Sequence, residues 1–133
     1  MVSLQFMMRA HRFAATVFRI AAVWGFLVLT PLLFMFDRIG AADPPAITHP
    51  GFYYGFVVTA LTWQVLFGLI STDPRRYVAM MPVAVLEKFG YALTIVTLYA
   101  QGRMHGSDMV FAATDSILGV LFVVAFLRLR RER

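Results

Sequence analysis

Four apolar stretches, residues 20–36, 52–70, 78–100 and 109–127, set the terms on which this chain can fold. An α-helix rises about 1.5 Å per residue, so each stretch matches the roughly 17 to 25 residues needed to cross about 30 Å of hydrocarbon. Within the bilayer the backbone must satisfy its own hydrogen bonds, and four such stretches do so as helices. Composition agrees: 60% of the 133 residues are hydrophobic and 14% are charged, against about 25% charged in ordinary soluble domains. The reading is an all-α, integral membrane four-helix bundle forming one domain over residues 1–133. No stretch remains for a second domain.

Charge at the ends of the stretches predicts the orientation. Arg9, Arg12 and Arg19 precede the first, Arg75 and Arg76 lie between the second and third, and Arg128, Arg130, Arg131 and Arg133 follow the fourth. The opposite side holds only Arg38 and Arg103, accompanied by Asp37, Asp43 and Asp108. The positive-inside rule then places both termini in the cytoplasm, in a multi-pass protein of a bacterial inner membrane. The formal charge of +5 follows from this bias. Its partner is the bilayer and its anionic headgroups; nucleic acid is excluded because no basic patch is interleaved with exposed aromatics. The first stretch is too long for a signal-peptide core and lacks a small-x-small site after it, so it is expected to be retained. With no cysteine in the chain, disulfides and thiolate chemistry are absent.

Local signals support the boundaries. Asp73-Pro74 sets a capping carboxylate before a first-turn proline, Ser107-Asp108 opens the fourth stretch, and Thr48-His49-Pro50 precedes the second. Pro31 is expected inside the first helix, kinking it, with Thr30 free to serve released backbone groups. Pro82 is expected in the first turns of the third. Tyr53, Tyr54, Tyr77 and Tyr99 fall at interface depth. Residues 37–51, with three prolines, read as a rigid irregular connector on the outer side, able to lie on the headgroups or to cover the mouth of the bundle.

Glu87, Lys88 and Asp115 lie where the chain should be deepest in lipid. A charge there costs at least about 2.5 kcal/mol, so these residues should face protein and find partners. Depth matching puts Trp63 and Gln64 level with Glu87 and Lys88 in an inner layer. Thr59, Tyr91, Thr94 and Asp115 form an outer one. The backbones of Glu87 and Asp115 should differ in depth by roughly 9 Å, which a bent Lys88 side chain can span. On the third helix, Glu87, Gly90, Tyr91, Thr94, Leu98 and Gln101 recur at three- and four-residue spacing and predict the inward stripe. Lys88, about 100° away, reaches sideways or snorkels. On the fourth, Ala112, Asp115, Ser116 and Gly119 predict a small-residue face for close helix approach.

The plainest reading of these charges is a neutralised network that fixes helix register, with Lys88 paired to Glu87 or Asp115 and Gln64 and Tyr91 satisfying what remains. Next stands a pocket for a lipid-like or quinone-like molecule, walled by Trp63, Tyr91 and phenylalanines. Proton or solute transfer through Glu87 or Asp115 follows, and catalysis ranks last. His11, His49 and His105 lie at ends or in loops and are not spaced as metal ligands, and no HExxH, P-loop or GxSxG pattern occurs. No catalytic residue, metal or obligatory cofactor is assigned, and the balance lies against an enzyme.

The layout of the whole chain, together with Asp73-Pro74-Arg75-Arg76-Tyr77, Leu86-Glu87-Lys88-Phe89-Gly90 and the pair Asp115 and Gly119, resembles the small bacterial four-helix membrane proteins grouped as DoxX-like. That resemblance implies an accessory subunit more than a free-standing enzyme, since some members of the group accompany quinone-linked membrane oxidoreductases. No family-wide catalytic residue aligns onto this chain. Small multidrug exporters use a glutamate in their first helix, which this chain lacks between Ile20 and Phe36. The sequence therefore points to a non-catalytic accessory subunit or a lipophile-binding protein, alone, as a homo-oligomer or within a larger membrane complex. The alternatives are a proton-coupled small-solute carrier and a subunit of a quinone-linked oxidoreductase.

Overall fold

The structure is a computed structural model that describes residues 3–131; Arg133 of the arginine-rich end lies outside the described residues. Every regular element among them is helical: α1 (Leu4–Leu29), α2 (Phe36–Ala42), α3 (Pro50–Thr72), α4 (Met81–Ala100) and α5 (Met109–Arg130). Short 3-10 turns occupy Thr30–Phe34, Val78–Met80 and Gly106–Asp108. Four of these segments are long and apolar enough to cross a membrane: Leu4–Phe34, Pro50–Thr72, Val78–Ala100 and Gly106–Arg130. The molecule is thus an all-helical protein of multi-pass membrane type, with lipid as its surroundings.

The second, third and fourth stretches sit where the sequence places them, within a few residues. The first does not. Its helix begins sixteen residues earlier, at Leu4, where the Ser3 hydroxyl accepts from the Phe6 amide at 3.3 Å. At about 1.5 Å per residue its 26 residues measure about 39 Å, longer than the hydrocarbon core. Arg9, Arg12 and Arg19 are therefore exposed helix residues, not a flanking segment. What holds this extension is a seam of Ala10, Ala14, Val17, Phe18, Ala21, Ala22 and Gly25, all buried at helical spacing.

Pro31 does not kink a continuous helix. The α-helix stops at Leu29, and proline, which cannot donate to the preceding turn, stands at the start of the 3-10 turn that follows. The Leu32 carbonyl there accepts from the Tyr53 hydroxyl at 2.8 Å, which ties α3 to the turn that follows α1. The connector is also more ordered than expected: α2 takes up residues 36–42, leaving 43–49 irregular. Asp43 pairs with His105 at 2.8 Å, joining this connector to the one between α4 and α5.

The long helices pack in the order α3, α1, α5, α4, with closest association between α4 and α5 and between α1 and α3. Contact between α3 and α4 is sparse. At one end Arg75, in the turn after α3, donates to the Met7 carbonyl at 2.8 Å, and the Arg128 guanidinium lies 4.5 Å from the Phe13 ring centre. The start of α1, the end of α5 and the α3–α4 turn therefore share one end of the molecule, and the Asp43–His105 pair lies at the other. Toward the terminal end the core is filled by Phe18, Phe67 and Phe122. Phe18 and Phe122 stack with centroids 4.1 Å apart, and Phe67 meets Phe122 edge-on at 5.1 Å.

Candidate functional site

Beyond that aromatic trio the interior opens. A cavity of about 460 Å³ is bounded by residues of α1, α3, α4 and α5 together with Met35 and Ile39 of the connector. On each of three helices the last lining residue precedes or follows a plug residue by three or four positions: Ala21 and Phe18, Gln64 and Phe67, Leu118 and Phe122. The plug thus lies about one turn below the cavity, which ends blind toward the termini. Lys88 Nζ stands at this floor, 5.2 Å from the Phe67 ring centre.

The charges meet there. Lys88 Nζ donates to Asp115 Oδ1 at 3.2 Å and lies 3.3 Å from Glu87 Oε2. The lysine is 5% exposed and the glutamate and aspartate side chains 17% and 15%. The Glu87 contact lacks hydrogen-bond geometry, so Oε2 is buried without a hydrogen-bond donor. Two carboxylates against one ammonium leave a formal charge of −1. The Lys88–Asp115 link spans α4 and α5, which Gly119 lets approach closely: a Cβ at that position would come within 2.9 Å of the Phe89 ring.

The predicted inward stripe of α4 is corrected. Its buried face is Met81, Ala84, Lys88, Ala92 and Ile95, so the residue expected off the stripe lies on the buried face. Glu87 and Tyr91 flank that face, half-buried; Gly90 and Thr94 are exposed. Thr94 does not join the cluster, because its hydroxyl donates to the Gly90 carbonyl of its own helix at 2.9 Å. The small-residue face of α5 is found in place, with Ala112 and Gly119 buried and Asp115 and Ser116 half-buried.

Gln64 reaches the predicted depth but not the predicted partners. It is 3% exposed and lines the cavity beside Glu87 and Lys88, yet its Nε2 donates to the Ala60 carbonyl one turn back at 3.0 Å. Its side chain occupies the space left by Gly25, where a Cβ would collide with the Gln64 amide. Trp63 and Thr59 line a second space, an open groove of about 380 Å³ between α3 and α4. Phe56, Ala60, Glu87 and Tyr91 are walls of both the groove and the cavity. Phe56 and Tyr91 stack across the gap, rings nearly parallel with centroids 6.1 Å apart.

Sequence reasoning missed Trp24, Gly25, Met35, Ile39, Phe111 and Thr114 as cavity walls. The small residue at Gly25, opposite a polar glutamine of like depth, was the available signal. His11 also proves to be a helical residue, half-buried in α1, with Nδ1 lacking a hydrogen-bond partner. His49 and His105 stay at the far end, bonded to Thr48 and Asp43 respectively. In comparisons with protein-family models, curated proteins and solved structures, no match was found.

Proposed function

We propose that this chain is a non-catalytic membrane protein that binds a lipophilic molecule, with the cavity as its pocket and the Lys88–Glu87–Asp115 triad as the polar anchor. The observation that carries the reading is a cavity closed at one end by packed aromatics, open along a sparse helix seam, and charged at its floor. A space of about 460 Å³ is within the range of ordinary ligand sites, and apolar walls around few convergent polar groups are their usual construction. A structural network alone would need no such room. The arginine bias supports a bacterial cytoplasmic membrane with both termini inside, and the DoxX-like resemblance of the sequence is the support for a larger membrane complex as partner.

Native mass spectrometry of protein extracted gently from its own membranes tests this. One lipophile per chain, absent from Ala60→Phe, which fills the shared wall of groove and cavity, is the expected result. An identical set of bound molecules in both proteins would sink the pocket reading.

A further inference from the structure

The two spaces share a wall whose chemistry selects among lipophiles. On the groove side stand Phe52, Phe56, Trp63 and Tyr91, with Glu87 the one charged residue among them. Aromatic faces carry negative potential and attract cations within about 6 Å of the ring centre, most strongly where water is excluded. The neighbouring triad has one positive charge too few: Asp115 takes the hydrogen bond of Lys88, and Glu87, a wall of the groove, has its Oε2 buried against Lys88 without a hydrogen-bond donor. A net charge at membrane depth is costly, so the site is completed by a proton or by a bound cation. An anionic headgroup would add to the imbalance, and a neutral one would leave it.

Resting on the lipophile-binding reading above, we infer that the groove takes a cationic amphiphile, an alkyl amine or quaternary ammonium, with its charge against Glu87 among the aromatic rings and its tail in the α3–α4 seam. Gly51 and Gly55 line the groove, and a Cβ at either would meet nothing within 4 Å, so this wall is open to the tail. Asp115 is not the counter-ion for the ligand, because Lys88 holds it on the α5 side. The charged and titratable groups about Glu87 are Lys88 and Tyr91 on α4 and Asp115 on α5; α3 offers the uncharged Gln64, and α1 offers Trp24, Gly25 and Val28. A cation and a proton then compete for one carboxylate. Affinity rises with pH.

The chain's only tryptophans, Trp24 and Trp63, line the two spaces, so their emission reports occupancy without a label. The test titrates tetradecyltrimethylammonium, 1-tetradecanol and tetradecyl sulfate into phosphatidylcholine nanodiscs holding the whole chain. The ammonium should bind at least about tenfold more tightly than the alcohol. That preference should vanish in Glu87→Gln, and in the wild type it should grow as pH is raised, a readout that needs no variant to fold. Equal binding of all three amphiphiles, flat with pH and abolished by Ala60→Phe, would overturn the cation inference and leave the lipophile pocket standing. Binding of all three that Ala60→Phe leaves untouched would remove both.

Discussion

At the scale of single residues, Lys88 is the side chain on which most depends. Removing one member of a buried charge pair strands the other, at a cost of about 3–5 kcal/mol, and here two carboxylates would be stranded together. Lys88→Met should therefore lower the unfolding midpoint in detergent far more than Asp115→Asn, which leaves Glu87 beside the ammonium. A Lys88→Met protein that unfolds with the wild type would show the ion pairs to be idle. Gly25 and Gln64 form a second pair that can be separated experimentally. Gly25→Ala displaces the amide and should cost about 1–3 kcal/mol, and Gln64→Ala in the same chain should recover most of it. Strict additivity of the two substitutions would contradict the steric account. The reach from Lys88 to Asp115 was legible in the sequence, because rise per residue is fixed. The direction in which each side chain points was not.

Helices show why. Polarity along α4 predicts burial, yet Thr94 of the predicted stripe donates to the Gly90 carbonyl of its own helix and so faces outward at no cost in unpaired groups. The reliable mark of the inward face was instead the run of small residues, Ala84 and Ala92, around Lys88. α1 taught the same lesson in reverse. Its arginines were read as a flank, but they lie on the exposed side of a helix whose other side carries Ala10, Ala14, Phe18 and Ala21. Close packing along such seams leaves little tolerance. Ala14→Leu should destabilise by about 1–3 kcal/mol through overpacking, while Arg12→Leu on the opposite face should change thermal stability little. Phe122→Ala, which removes a fully buried ring from the aromatic trio, should cost about 3–5 kcal/mol by the same measurement. A melting curve unchanged by Phe122→Ala would show that the trio does not close the core.

Over the whole molecule the four-span layout was read correctly, since length and apolarity alone decide it. The exceptions were the bounds of the first helix and the connector, whose short α2 has too few residues to impose a period. Orientation is open to direct measurement: the chain has no cysteine, so single thiols can be introduced without background. In cells with a permeable outer envelope, Gly102→Cys should react with a membrane-impermeant maleimide and Arg131→Cys should not. The opposite pattern would invert the assigned topology.

The aromatic plug has a bearing on where the proposed ligand would enter. Groove residues on α3 run from Gly51 to Trp63, the half of that helix remote from the chain ends, and Phe18, Phe67 and Phe122 close the interior beneath them. On the terminal side that packed trio, not the groove, fills the space between α1, α3 and α5. A ligand of the proposed pocket would therefore enter from one leaflet, so that lipid asymmetry would govern occupancy as directly as concentration does.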